Sequence, residues 1–278
     1  MEAISSVLQA LAWPVFPEEP WPQAAFVSTA LLFVAGLVML AFPVTCGRVL
    51  VLEGSATRPD GIGELRPVGG FLAGFALATL MFFDQPVLAA ALGVAMAVAA
   101  FARLISLMSD TSVSLLNLLL FLVQAIFAVA LLYYFTDVIT NELTLGIPTE
   151  LMPQLVFFTF AALAIIGFLV LFGPRIAMNI AGLWVTADKR GGIASVRSTG
   201  GFMLGAGLFG MAISGYWQSQ FVLLLMLCFG IIVALALSVI GRLLALGLNR
   251  GNLVFNVIAL VIQIAALGIV ITYIGGAM

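Results

Sequence analysis

Eight apolar stretches, at 24–42, 67–83, 87–108, 113–135, 153–172, 196–214, 220–246 and 253–274, follow one another with little polar sequence between them. About twenty apolar residues in helical conformation cross the hydrocarbon core of a bilayer. In that core the backbone must satisfy its own hydrogen bonds, which leaves helices as the fold for such runs. The longest connections, 43–66, 136–152 and 173–195, are too short for a soluble domain. The expected fold is therefore all-α and polytopic, with eight transmembrane helices. Composition agrees: 64% of residues are hydrophobic and 8% charged, against roughly 25% charged in soluble domains.

The charges give the sidedness. With eight spans, all ten cations (Arg48, Arg58, Arg66, Arg103, Arg175, Lys189, Arg190, Arg197, Arg242 and Arg250) fall on one side. Glu2, Glu18, Glu19, Asp84, Asp137, Glu142 and Glu150 fall on the other, with no cation among them. The positive-inside rule then predicts a multi-pass membrane protein with the arginine loops in the cytoplasm and both termini outside. Residues 1–23 lack the basic start of a signal peptide. Ile4, Val7, Leu8 and Leu11 have helical spacing and precede Trp13-Pro14 and Pro20-Trp21-Pro22, which reads as a short interfacial helix and a Trp-anchored turn.

One motif occurs twice. Glu64-Leu-Arg-Pro-Val-Gly-Gly-Phe-Leu-Ala-Gly74 returns as Ser195-Val-Arg-Ser-Thr-Gly-Gly-Phe-Met-Leu-Gly205, an offset of 131, and Pro43 and Pro174 share that offset. Further on the offset is 139: Arg103 with Arg242, Asp110 with Asn249, Asn117 with Asn256, Gln124 with Gln263, and Tyr134 with Tyr273. Polar residues are expensive within apolar helices, so their recurrence at one spacing marks an internal duplication. The expected organisation is a segment 1–23, a four-helix repeat 24–135, an outer loop 136–152 and a second four-helix repeat 153–278. Four spans per repeat give both the same orientation, about a pseudo-two-fold axis along the membrane normal.

Glu64-x-Arg66-x-x-Gly69-Gly70, with Arg103 and Asp110 and four helices, resembles a bacterial membrane family known as domain of unknown function 4345, distantly similar to the DoxX-like four-helix proteins. The resemblance covers nearly the whole chain as two fused copies. The second copy departs from it, with Ser195 in place of Glu64 and Asn249 in place of Asp110. The family brings no established activity. Its DoxX-like relatives include accessory subunits of membrane redox systems, which implies a direction.

The candidate residues form four sets. Gly70 and Gly74 make a small-residue face, as do Gly201 and Gly205. Such faces let helices approach closely where lipid supplies no hydrophobic drive, and the two motif helices are expected to meet near the pseudo-axis. Glu64, Arg66, Arg103 and Asp110 lie at cytoplasmic helix ends, where charges pair or snorkel, and Arg103 is expected to pair with Glu64 or Asp110. Arg197 and Arg242 lack those acids within their own half and, with Ser198 and Thr199 at a helix start, form a candidate site for a phosphate or lipid headgroup. Snorkelling anchors are the plain alternative. Asn117 and Gln124 share a helix face, as do Asn256 and Gln263; they predict interhelical hydrogen bonds or a polar cavity. Tyr134 and Tyr273 are expected in the outer aromatic belt.

The chain has no His and two Cys, Cys46 and Cys228. His-based triads, His-ligated metals and four-thiolate clusters are thereby excluded. No cofactor, metal or nucleic acid is expected. The expected partners are the bilayer, including anionic phospholipid, and a membrane-protein partner or a second copy. The functional expectation is a non-catalytic accessory or scaffolding subunit of a membrane assembly. The alternative is a transporter or channel for a small solute or lipid between the repeats, which a cavity between them would favour.

Overall fold

The structure, a computed structural model, describes residues 16–55, 59–110, 113–135, 147–185, 191–216, 221–249 and 253–277. Ten α-helices are present among them: α1 (Pro20–Ala41), α2 (Pro43–Leu50), α3 (Leu65–Met81), α4 (Pro86–Ser109), α5 (Leu115–Phe135), α6 (Leu151–Phe172), α7 (Pro174–Ala181), α8 (Gly191–Tyr216), α9 (Phe221–Asn249) and α10 (Leu253–Ala277). Six of these, α1, α4, α5, α6, α9 and α10, contain stretches long and apolar enough to cross a membrane, which makes the chain a multi-pass membrane protein by length and composition. The expected interfacial helix lies mostly outside the described residues, as does most of the connector at 136–152.

Proline sets several boundaries. It has no N–H and drives the preceding residue out of helical geometry. Thus α1 ends at Phe42 (φ −122, ψ 59) before Pro43, and α6 ends at Gly173 (φ −116, ψ 50) before Pro174. Each break starts a short helix instead of a loop, α2 or α7. Those helices stop in left-handed backbone, α2 at Val51 (φ 59) and α7 at Gly182 (φ 72). The chain then forms a two-residue antiparallel ribbon, Glu53–Gly54 against Leu183–Trp184, and a 3₁₀ turn, Pro59–Glu64. Leu52, Ile62, Leu65, Met178, Leu183, Ile193 and Val196 make a small second core beneath the ribbon. The stretches expected as loops at 43–66 and 173–195 therefore contain a packed platform at the arginine end of the helices.

The helix neighbours are not those of two self-contained bundles. Within each half, helices one and two pack together (α1 on α3, α6 on α8), and so do helices three and four (α4 on α5, α9 on α10). Within a half, helices two and three hardly touch each other. Instead α3 packs along α9, and α8 along α4. Weaker contacts of α1 with α5 and of α10 with α6 complete a circuit of eight helices.

The duplicated glycines explain this packing. A Cβ on Gly69 would sit 2.7 Å from Gly36 O, and one on Gly200 2.8 Å from Gly167 O, so the first glycine of each pair seats the motif helix on helix one of its own half. The second faces the other half: a Cβ on Gly70 would run into Leu237 O, and one on Gly201 would lie 2.6 Å from Val98 O. Gly74 and Gly205 continue these faces against Val233–Ala234 and Val94–Ala95. Adjacent residues on a helix point about 100° apart, so a Gly-Gly pair lets one helix be gripped from two sides. The Gly70 and Gly74 face packs on α9 and the Gly201 and Gly205 face on α4, so neither is turned to lipid and neither is the surface on which the two motif helices touch. Phe202 does bridge α8 to α3, edge-on to Phe71 (6.4 Å) and Phe75 (6.5 Å).

Candidate functional site

The arginine of each motif caps a helix. Arg66 Nη1 donates to Leu40 O (2.7 Å) and Ala41 O (3.2 Å) at the end of α1, and Arg197 Nη1 donates to Leu171 O (2.9 Å) at the end of α6. The last carbonyls of a helix have no partner within it and carry the negative end of its dipole, so a guanidinium satisfies both. Gly69 and Gly200 admit the close approach that brings each arginine there.

The amides hold the other two arginines. Arg103 Nε donates to Gln124 Oε1 (3.0 Å) and Nη1 to Asn117 Oδ1 (2.9 Å). Arg242 does the same with Gln263 Oε1 (3.0 Å) and Asn256 Oδ1 (2.8 Å), and lies 5.8 Å over the Phe255 ring. The Asn/Gln faces thus position guanidinium groups between helices three and four. Gln124 Nε2 passes a hydrogen bond on to Ser198 Oγ (2.7 Å), and Gln263 Nε2 to Ser238 Oγ (2.9 Å), which itself donates to Pro67 O (2.9 Å). Thr199 Oγ1 donates to Ser195 O (3.1 Å).

Because helices two and three pair across the halves, so do the ions. Arg197 is bidentate to Asp110, Nε to Oδ2 at 2.7 Å and Nη2 to Oδ1 at 3.2 Å. Arg242 Nη1 meets Glu64 Oε2 at 3.1 Å. The expected pairing of Arg103 with Glu64 or Asp110 is corrected, and Arg197 and Arg242, expected free for an anion, already hold carboxylates. The acids come from the first half and their partners from the second. Burial raises the Asp110 carboxyl, but hydrogen bonds from Arg197 and Ser106 and the charges of Arg197 and Arg175 outweigh it, so its pKa lies below the ordinary 3.8. At Glu64 burial wins over the Arg242 charge and hydrogen bonds from Asn256 and Arg242, and the pKa lies above 4.5. Arg103, 4% exposed, has only the two neutral amides among the described residues.

A chamber of about 720 Å³, with lining from all eight long helices, lies against this cluster. Its wall is largely apolar, including Phe71, Phe127, Phe160, Phe202 and Ile231. Most of its polar groups belong to the arginine–amide networks, Arg103, Gln124 and Ser198 in one and Arg242, Gln263 and Ser238 in the other, with Ser195, Thr199 and Thr159 besides. Asn117 and Asn256 do not line it and are buried at 3% and 0% exposure, so the polar cavity floored by four amides does not form. Leu31 of α1, Val123 of α5, Ile166 of α6 and Ile262 of α10 line the chamber and are among the exposed apolar residues. They flank the α1–α5 and α6–α10 contacts, the weakest in the circuit. Pockets of about 300–1,000 Å³ with few polar groups are typical of small-ligand sites.

The aromatic belt expectation is also revised. Tyr134 donates to Phe83 O (3.0 Å) and stacks on Phe83, and Tyr273 is 7% exposed, so both tyrosines pack inward. Sequence reasoning passed over Ser238 and Ser106, the latter donating to Asp110 Oδ2 at 2.7 Å. Their signal was present: each is a small polar residue one helical turn from a charged one. Among the described residues no group of three His, Cys, Asp or Glu could hold a metal ion. Comparisons with protein-family models, curated proteins and solved structures find no match to this chain.

Proposed function

We propose that the chain is an eight-span protein of the bacterial inner membrane, built from two fused four-helix units of the kind its motif resembles, that takes a lipid-like molecule into the chamber between them. The two spans beyond the six apolar ones are α3 and α8, which carry the motif and lie between helices of both halves. Bonds recurring at offsets of 131 (Arg66 to Leu40, Arg197 to Leu171) and 139 (Arg103 to Gln124, Arg242 to Gln263) support the duplication, with the arginine end cytoplasmic and the termini periplasmic.

The observation that carries this reading is the 720 Å³ chamber, apolar over most of its wall and with most of its polar groups in the arginine–amide networks. Such a wall repels a hydrated ion and suits an amphiphile that partitions from the bilayer. The exposed lining residues at α1–α5 and α6–α10 support lateral entry from lipid. Transport or carriage of a lipid is therefore preferred to the accessory-subunit reading.

Purification from the native membrane in mild detergent, followed by native mass spectrometry, tests it. A stoichiometric retained amphiphile is expected. Stoichiometric protein partners around a chain that retains no small molecule would restore the accessory reading.

A further inference from the structure

The chamber lacks one carboxylate that the rest of the cluster would lead one to expect. Arg242 meets Glu64 at 3.1 Å, one carboxylate from the motif of the opposite half. By the offsets of 139 and 131, the corresponding pair is Arg103 with residue 195, and residue 195 is serine. Two independent facts mark that position. Arg103 is a buried guanidinium whose hydrogen-bond partners among the described residues are both neutral. Ser195 is 6% exposed, and its Oγ is the buried side-chain polar atom with no hydrogen-bond partner among the described residues. Both line the chamber. Buried charges in membrane proteins are normally neutralised, and buried hydroxyls normally bonded.

We infer that the chamber binds a single-chain amphiphile with a carboxylate head, seated between Arg103 and Ser195 where the other half carries Glu64. The carboxylate would accept from the guanidinium and from the Ser195 hydroxyl, and the chain would lie along the phenylalanine-rich wall. One acyl chain is preferred to two because the volume is that of a small-ligand pocket. This inference rests on the chamber reading above and assigns its ligand.

The test is native mass spectrometry of the detergent-solubilised full chain, titrated with oleate, with methyl oleate and with dioleoyl phosphatidylglycerol. Oleate should bind at least about tenfold more tightly than its methyl ester, since a hydrogen bond to a buried charge is lost in the ester. Ser195→Glu, which supplies the missing carboxylate from the protein, should lower oleate affinity by about tenfold or more and melt at or above the wild-type temperature. Should that variant not fold, Arg103→Gln carries the test by abolishing the preference for acid over ester. Equal binding of acid and ester, or undiminished oleate binding by the folded Ser195→Glu protein, overturns the headgroup assignment while leaving the chamber reading intact. Displacement of oleate by an equimolar amount of phosphatidylglycerol overturns the carboxylate in favour of a phosphodiester. Binding of none of the three removes the chamber reading itself.

Discussion

Arg242 and Glu64 lie 178 residues apart in sequence and 3.1 Å apart in space, each side chain 10% exposed. The bond ties the last third of α9 to the N-cap of α3. It forms where a Cβ on Gly241 would stand 2.6 Å from Arg66 O, so the helices nearly touch at that level. Removing one partner of a buried pair leaves an uncompensated charge, at about 3–5 kcal/mol. Arg242→Gln, which strands the Glu64 carboxylate, should therefore melt well below wild type, and adding Glu64→Gln should recover much of the loss. A thermal melt in detergent, read by size-exclusion fluorescence, distinguishes this from additive losses.

Asp110 predicts an acid limb. Its folded pKa lies below the unfolded 3.8, so folding favours its charged form. That contribution is fully present above the unfolded value and is lost as pH falls through the folded one. Glu64 has the opposite sign. Its folded pKa is above 4.5, so its protonation as pH falls through that value favours the fold. Asp110→Asn should lower stability at pH 7 and flatten the decline below about pH 4. A variant that declines as steeply as wild type would place the acid sensitivity on another group.

The glycine faces predict a sharp positional contrast. At Gly201 a Cβ would lie 2.6 Å from Val98 O on α4, and backbone cannot move aside as a side-chain tip can. Gly201→Ala should cost stability by about 1–3 kcal/mol through overpacking. At Gly268 nothing lies within 4 Å, and Ala there should be neutral or stabilising by about 0.5–1 kcal/mol, the helix preference of Ala over Gly. Comparable melts for the two variants would contradict the packing of α8 on α4.

Val51 holds φ 59 where the second half has Gly182 at φ 72. Left-handed backbone costs a residue with a Cβ roughly 1–2 kcal/mol. Val51→Gly should raise the melting temperature, less the contacts its side chain gives up, and Gly182→Ala should lower it by a similar amount. An unchanged melt for both would mean that the platform does not limit stability.

Much of this was legible in the residues. Helical runs, their limits at Pro43 and Pro174, and the motif pairs follow from local chemistry: apolar stretches of membrane length, prolines without an N–H, and polar side chains too expensive to recur by accident. The Arg103–Gln124 and Arg242–Gln263 bonds join positions that spacing had already singled out. The platform of α2, α7 and the ribbon was not legible, because short helices and a two-residue strand carry no periodic signal.

Partner choice belongs to the tertiary structure. A Gly70 face fits a helix from either half equally well, and lipid gives no hydrophobic preference between them. Pairing α3 with α9 and α8 with α4 sends Glu64 to Arg242 and Asp110 to Arg197. Ser195, which stands in the second half where the first has Glu64, leaves Arg103 of the first half with amides alone among the described residues. Sequence determined that two carboxylates would be missing; only the packing across the halves decided that Arg103 faces the chamber without one.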